Sequence, residues 1–415
     1  MKEKGKAMGQ NQAAVDVIQP KKTLKTTKKL IVPVIYISLF LIGFYIAAFQ
    51  LTGLDMVRQV GMADAWVSIL VAIHFIGTTI SNIAFGKLSD TIGKKKVIMG
   101  AVIAFIVGSL GMSFAPNGVI LLIGIFVVGC GYGIIDALAL AVLADAYPQK
   151  ADRYINIGQM IVGIGSVSGP LICQALMDHY QMPWYDIFPA LAGLGVIIAI
   201  LLLFTNVVKV YRDEDVDRTP LPVKSIVKSK VFILLALGIF FYLGMENATT
   251  FFADMYFEQV VHMPEFSAMA ISGFWLAVAA VRLLAGIFRR NRHTSLLISF
   301  GISVICVIII TLIPNGIVTL VNYILLGALY GTIFPYVMCF ASDIYPNNTG
   351  TATSLLFAAA GIGGGIMPVV LGGMIEVMSV HLAFSLIAVF AAVGFILEIL
   401  LKREIYRKKI TRAMK

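Results

Sequence analysis

Apolar runs long enough to cross a membrane recur throughout this chain. A helix needs about 20 apolar residues to span the hydrocarbon core of a bilayer. Twelve such runs are present, separated by short polar breaks. The predicted spans are residues 30–50, 64–85, 97–115, 118–142, 155–177, 187–208, 231–257, 266–288, 294–313, 316–341, 350–375 and 380–401. Only 13% of the residues are charged, about half the share in soluble domains, so the sequence predicts an all-α membrane protein.

The second half of the chain repeats the first. Residues 115–170 match residues 313–368 without a gap, at a constant offset of 198. The residues shared in this register include Pro116 with Pro314, Gly129 with Gly327, Asp145 with Asp343 and Pro170 with Pro368. Two six-helix repeats are therefore predicted, at 30–208 and 231–401, with a charged linker at 209–230. Parallel repeats of this kind are typical of transporters whose halves rock about a binding site at the membrane midplane.

Basic residues are concentrated on one side of the predicted membrane. Twelve spans place both chain ends on the same side, and 30 of the 32 Lys and Arg residues lie there, in the tails (1–29 and 402–415), the linker or the loops. Positive charge collects on the cytoplasmic face, so both termini of this multi-pass cell-membrane protein are predicted to be cytoplasmic. The two exceptions are Arg58, in an outer loop, and Arg282, within span eight.

This distribution also explains the net charge of +10. Basic loops attract the anionic headgroups of membrane lipids, and no loop here carries a nucleic-acid recognition motif. Anionic lipid is therefore an expected partner, and nucleic acid is not.

The loop GKLSDTIGKKK, between spans two and three, is the most specific motif in the chain. Gly86 and Gly93 permit close approach and chain reversal, and Asp90 can face the N-terminus of a neighbouring helix. The loop resembles the signature G-x-L-[SA]-D-x-x-G-[RK]-[RK] of the major facilitator superfamily. This resemblance implies the major facilitator fold, with a conformational latch formed by Asp90 together with Gly86, Gly93, Lys94 and Lys95.

Several polar side chains lie within the predicted spans, where they are expected to face the bundle interior or a water-filled pathway. Glu246 and its neighbour Asn247 lie near the middle of span seven, and Asp136 lies beyond the middle of span four. Asn156 and Gln159 share one face of span five because they are about one turn apart. We expect Glu246 and Asn247 to form the second-half wall of a binding site, and the other three residues its first-half wall.

The two carboxylates can also carry a proton. Removal from water disfavours the charged form of a carboxyl group, so Asp136 and Glu246 are candidates to couple a proton to solute movement. Either could instead be a protonated hydrogen-bond donor between helices, and the span-five amides could be interhelical contacts. Two other polar residues are interpreted as structural, namely His74 as a packing residue and Arg282 as a side chain that reaches towards the cytoplasm.

Stretches in both halves resemble the fucose permease type of sugar/proton symporter. Span seven carries its G-x-E pattern at Gly244 and Glu246. Further matches are Asp136, Asn156, Gly163, Gly165, Gly169, Pro170, Tyr256, Gly331, Pro335, Gly361, Gly363, Gly364 and Pro368. Three positions depart from the pattern: Phe252 replaces a tryptophan, Gln159 replaces a histidine, and Gln50 replaces a carboxylate on span one.

The resemblance implies proton-coupled uptake of a small solute, a monosaccharide, which binds between the halves. Aromatic side chains that can stack on a sugar ring are expected there, together with the amide that replaces the span-one carboxylate. These candidates are Tyr45, Gln50, Tyr242, Tyr256, Trp275 and Phe334. No cofactor or metal is implied, and the protein is expected to act as a monomer.

Three other functions are less consistent with the sequence. Drug/proton antiporters of the superfamily carry R-x-x-Q-G on span four and G-P-x-x-G-G on span five, whereas span four here has no arginine and span five reads GPLICQ. A non-transporting sensor of the same fold would be expected to lose its midplane polar residues or to gain a soluble domain. An enzyme would need a nucleophile with a base, or a metal cluster, and the spans and loops offer neither.

Overall fold

The computed structural model describes residues 28–146, 151–205, 223–287, 291–345 and 349–413. Twelve of its helical segments are long and apolar enough to cross a membrane. The first half comprises α1 Lys28–Gln59, α2 Val67–Ile92, α3 Lys94–Ser113, α4 Gly118–Ala146, α5 Ala151–Tyr180 and α6 Ile187–Leu203. The predicted tail 1–29 and linker 209–230 lie mostly outside the described residues.

The second half is preceded by a five-residue helix, α7 Val223–Val227. Its helices are α8 Lys230–Phe251, α9 Ala253–Tyr256, α10 Ser267–Ile287, α11 Arg292–Leu312, α12 Gly316–Tyr330, α13 Ile333–Ile344, α14 Thr349–Val377, α15 Val380–Phe384 and α16 Leu386–Ala413. The fold is therefore the predicted all-α arrangement of twelve spans in two six-helix repeats, and α16 continues into the segment 402–415 that was predicted as a tail.

Two spans of the second half are interrupted. The seventh span ends with α8 at Phe251, earlier than predicted, and the chain continues through α9 and a π-helical turn, Phe257–Val261. The tenth span is divided between α12 and α13, with the break after Gly331. Pro335 explains this second break, because proline has no N–H to donate to the carbonyl of Gly331, four residues earlier.

The helices of the two halves meet along two principal pairs, α2 with α14 and α5 with α10. The pairs are related by the sequence repeat. Gly361 of α14 faces Thr79 of α2, and Gly163 of α5 faces Ala279 of α10. In addition α1 packs against α8, α9 and α10. The interior surface between the halves is therefore built mainly from α1, α2, α5, α8, α10 and α14.

Two repeated glycines show that the halves also use the same internal packing. A Cβ added to Gly129 would lie 2.3 Å from the carbonyl oxygen of His74, and one added to Gly327 would lie 2.2 Å from that of Phe274. Only glycine allows helix backbones to approach this closely. The match at offset 198 therefore reflects equivalent contacts, between α4 and α2 in one half and between α12 and α10 in the other.

The signature loop is a tight reversal between α2 and α3. Gly93 ends α2 with φ of 95°, a conformation that favours glycine. The Lys95 ammonium group donates to the carbonyl oxygens of Leu203 (3.1 Å) and Thr205 (2.6 Å) at the end of α6. Lys95 thus caps a helix within its own half. The surroundings of Gly86 and the side-chain position of Asp90, and so the predicted latch contact, lie outside what the structure describes.

Candidate binding site between the halves

Charged groups from three spans meet between the two halves of the bundle. Glu246, only 4% exposed, accepts a hydrogen bond from the Tyr242 hydroxyl one turn earlier on α8. Arg282 of α10 lies close enough to interact electrostatically with both Tyr242 and Glu246. The same guanidinium also interacts electrostatically with Asp136 of α4. These four residues, here called the central cluster, place one cation between a carboxylate of the first half and a carboxylate of the second.

Arg282 is the member of this cluster that the sequence analysis did not assign to the site. It was interpreted as a structural side chain reaching for water at the cytoplasmic end of its helix. The structure instead places it within electrostatic range of both interior acids, and its Nε atom is buried without a hydrogen-bond partner. The signal that could have identified it is its isolation, since Arg58 and Arg282 are the two basic residues outside the predicted cytoplasmic segments.

A hydrogen bond between the halves joins α1 to α10. Trp275 Nε1 of α10 donates to Gln50 Oε1 of α1 at 2.9 Å. Gln50 is only 1% exposed, and its Nε2 donor has no partner. One residue earlier, Phe49 packs edge-on against Phe251 of α8, with ring centroids 5.1 Å apart. The predicted residues Gln50 and Trp275 are therefore brought together, and one amide donor remains available.

Tyr45 and His74 form a second buried polar pair, inside the first half. The Tyr45 hydroxyl and His74 Nδ1 share a hydrogen bond of 3.3 Å, and both residues are completely buried. His74 Nε2 has no partner. Tyr132 connects this pair to the central cluster, since its ring lies 5.1 Å from His74 and it is within electrostatic range of Asp136 and Glu246.

Asn247 is held within the second half. Its Nδ2 atom donates to the carbonyl oxygen of Gly364 on α14 at 3.0 Å. Its side chain is 4% exposed. The contact ties α8 to the glycine-rich middle of α14 and so fixes the helix face that carries Glu246.

Two other predicted site residues, Tyr256 and Phe334, contact residues outside this group. The Tyr256 hydroxyl donates to the carbonyl oxygen of Ile310 at 2.9 Å, and its ring packs on Phe384, both within the second half. Phe334 packs against Phe357, with ring centroids 5.2 Å apart. Gln159 is partly buried on α5, while the side-chain position of Asn156 is outside the described part of the chain.

One end of the bundle is closed by polar contacts between the halves. This is the end that carries the α1–α2 connection, here called the distal end. Arg58 donates through Nη1 to both oxygens of Glu258, at 2.8 and 2.9 Å, and also binds Asp64. Gln259 donates to Asp64 at 2.5 Å. Arg58, Asp64, Glu258 and Gln259, here called the distal gate, therefore join the first half to the second.

In the part of the chain that the structure describes, there is no group of three or more His, Cys, Asp or Glu side chains that could hold a metal ion. An open cavity of about 580 Å³ lies at the distal end, lined by residues of the second half that include Gln259, Pro314, Met378 and His381. It does not include the central cluster. Among the described residues, the chemistry available at the central cluster and its neighbours is that of two carboxylates, one guanidinium, amides and aromatic rings.

Comparisons with known proteins agree on the fold and differ on the transported compound. The sequence profile of the Major Facilitator Superfamily matches residues 34–325 and 272–414. The glucose/mannose transporter GlcP of Bacillus subtilis (strain 168) is 24% identical over 65% of this chain and 69% of its own length. A putative metabolite transport protein of Haemophilus influenzae is 23% identical over 90% of this chain and 94% of its own.

Two further matches concern drug resistance and the fold itself. The multidrug resistance protein MdtL of Klebsiella pneumoniae (strain 342) is 30% identical over 37% of this chain and 39% of its own length. The crystal structure of a bacterial homologue of the human lysosomal transporter Spinster, inward-facing and unoccupied, superposes with a TM-score of 0.75. The two share 14% identity, and the match covers 92% of this chain and 98% of that one.

Proposed function

The chain belongs to the major facilitator superfamily, and on that premise we propose that it takes up a monosaccharide by alternating access, with a proton as the coupling ion. It is a multi-pass transporter of the plasma membrane, and not an enzyme. The observation that carries the proposal is the central cluster, in which Arg282 faces Asp136 of one half and Glu246 of the other.

The charges of the cluster make it suitable for coupling. Two carboxylates share one guanidinium, so the cluster has a net charge of −1 when both acids are ionised. A proton on either acid makes the cluster neutral and leaves Arg282 to pair with the other acid. Because the two acids belong to different halves, this exchange of partners alters the attraction between the halves. Coupling requires such a difference between conformations.

The same arrangement favours a neutral hydroxylated solute. Sugar hydroxyl groups can donate to Asp136 and Glu246 and can accept from the unpartnered Nε2 of Gln50. Trp275 provides an aromatic surface beside that amide. A cationic drug would face Arg282 as well as the acids, so its attraction to the cluster is reduced. The similarity to the glucose/mannose transporter also supports a sugar, whereas the similarity to MdtL keeps drug/proton antiport as the second candidate.

The test is uptake of labelled hexoses and pentoses into proteoliposomes, with and without an imposed inward proton gradient. Wild type is compared with Asp136→Asn and Glu246→Gln. The matched control is Glu398→Gln, which neutralises a carboxylate that is also 4% exposed but pairs with His293 within the second half. We expect accumulation of one sugar that follows the gradient in wild type and in the control, and that is lost in at least one central-cluster variant.

The other results have definite meanings. Sugar exchange that ignores the gradient would contradict proton coupling but retain the sugar. Equal losses in the control and in the central-cluster variants would assign the acids to folding. No movement of any sugar would contradict the substrate, and proton-driven movement of cationic dyes would then establish the antiporter.

A further inference from the structure

The distal gate stands beside more carboxyl groups than its single arginine can neutralise. Asp55 and Arg58 lie one turn apart near the end of α1, and Asp254 and Glu258 lie one turn apart on the segment that begins with α9. The two helices pack against each other. Electrostatic interactions link Asp254 to Asp55, Arg58 and Glu258. When the gate is closed, one guanidinium is therefore surrounded by four acids. They are Asp55, Asp254, Glu258 and Asp64, the last of which also binds Arg58.

A buried hydroxyl group beside Asp254 is the second observation. Ser267 begins α10 and is 1% exposed, and its buried Oγ atom has no hydrogen-bond partner. It nevertheless lies close enough to interact with the Asp254 carboxyl group. An ionised Asp254 can only accept hydrogen bonds, whereas a protonated one can also donate to this oxygen. The Ser267 hydroxyl oxygen is thus a hydrogen-bond acceptor for a protonated Asp254 carboxyl group.

We propose that Asp254, beside the distal gate, is a proton-binding site, whose carboxyl group takes up a proton as the gate closes and releases it as the gate opens. The inference rests on the proposed function only in that the halves separate at the distal end. It does not require a sugar, and it does not involve Asp136 or Glu246.

The electrostatics of the closed gate agree with this role. Burial of Asp254, with the neighbouring charges of Asp55 and Glu258, raises the pKa of its carboxyl group from 3.8 to about 7. Arg58 and the Ser267 hydroxyl oppose the rise without cancelling it. Other titratable groups lie near this end as well. His381 of α15, which packs on α9, stacks on the Tyr256 ring, while His262 follows the π-helical turn and Glu265 precedes α10.

The direction of the effect follows from the raised pKa. The closed gate binds the proton more tightly than an open gate whose Asp254 is in water at its usual pKa. Closure is therefore favoured at low pH and loses this support as pH rises through about 7. With one proton involved, the ratio of closed to open protein falls about tenfold between pH 6 and pH 8.

The experiment measures this ratio by the distance between two spin labels, in full-length protein in lipid nanodiscs. Labels are attached at Ala63→Cys in the α1–α2 connection and Ile313→Cys in the α11–α12 connection, both exposed, after Cys130, Cys173, Cys306 and Cys339 are replaced by alanine. Distances are recorded by pulsed electron resonance from pH 5 to pH 9. In the wild type we expect the closed-to-open ratio, read from the short-distance population, to fall about tenfold between pH 6 and pH 8. The pH near 7 at which this fall levels off is here called the midpoint.

Three variants separate proton binding at Asp254 from other causes. Asp254→Asn mimics the protonated state and should remain closed throughout this pH range. Asp55→Asn removes one neighbouring negative charge and should move the midpoint to lower pH, a shift that a purely structural role would not produce. Glu265→Gln neutralises an exposed acid at the same end and should behave as the wild type.

The proposal is overturned if the wild-type distances do not respond to pH. It is also overturned if Asp254→Asn keeps the wild-type response, or if Asp55→Asn leaves the midpoint unchanged. Because the readout is a distance, these results stand whether or not the sugar-uptake assay succeeds.

Discussion

The replacement Trp275→Phe removes one hydrogen bond between the halves while keeping an aromatic ring in place. Trp275 Nε1 donates to Gln50 Oε1 at 2.9 Å, and Gln50 is 1% exposed. Without this donor, a buried side-chain oxygen is left unpaired, which costs about 1–3 kcal/mol. The cost applies to the closed state alone, since opening the distal end gives Gln50 access to water. The closed-to-open ratio should therefore fall about 5- to 150-fold.

The assay is the distance measurement between labels at Ala63 and Ile313, at a fixed pH of 6. Trp184→Phe is the matched control, because Trp184 is buried in the first half, where its ring packs on Phe188. It loses an indole N–H but no contact between the halves. We expect the open population to increase in Trp275→Phe and to remain at the wild-type level in the control.

The double replacement Gln50→Leu with Trp275→Phe tests whether the unpaired oxygen of Gln50 causes the change. Gln50 Nε2 already lacks a partner, so leucine removes both unpaired polar atoms at once. Replacing both partners of a buried hydrogen bond by apolar groups can be nearly neutral. The double variant should consequently return towards the wild-type ratio. Three results would refute the argument. They are an unchanged ratio in Trp275→Phe, an equal change in the control, and a double variant that is more open than the single one.

Three further predictions follow from contacts within the bundle, each read out as thermal stability in detergent. Removing one partner of a fully buried ion pair costs roughly 3–5 kcal/mol. Arg282→Gln should cost less than this, because Arg282 is partly exposed. The same variant should abolish gradient-driven uptake. Gly327→Ala should lower the free energy of unfolding by about 1–3 kcal/mol, because the new Cβ would lie 2.2 Å from a carbonyl oxygen. Its control, Gly373→Ala, places a Cβ where no atom lies within 4 Å and should leave stability unchanged. Lys95→Ala should lower the free energy of unfolding by about 1 kcal/mol because it uncaps α6. Its control, Lys96→Ala, replaces an exposed lysine and should leave stability unchanged. For the glycine pair and for the lysine pair alike, equal effects of the variant and its control would contradict the assigned contact.

Hydropathy and the repeat were sufficient to predict the twelve spans, and the comparisons confirm the superfamily. Where the structure differs, the cause is local. Mean hydropathy does not register the end of α8 at Phe251 or the break after Gly331, because the residues on both sides remain apolar. The positional effect of Pro335 on its i−4 carbonyl can be recognised in a sequence, but only once the helix is known to be continuous up to that point.

The candidate site was less predictable, because polar residues in a span can face several partners. Gln50 and Trp275 were separate candidates for the site, and nothing in the sequence paired them, whereas the structure joins them by a hydrogen bond. Depth alone could not show that Tyr256 is bonded inside its own half to Ile310. That assignment depends on the interruption at Phe252, which changes the direction of the chain before Tyr256.

The two basic residues left over from the topological count have a common role in the structure. Arg58 and Arg282 both lie among carboxylates contributed by different halves, one at the distal gate and the other in the central cluster. An arginine away from the predicted cytoplasmic face gains nothing from the charge bias that places the other basic residues, and the cost of removing it from water must be offset by partners. When those partners belong to both halves, the ion pair depends on the conformation. The count of basic residues thus identifies the positions where charge can be linked to movement between the halves.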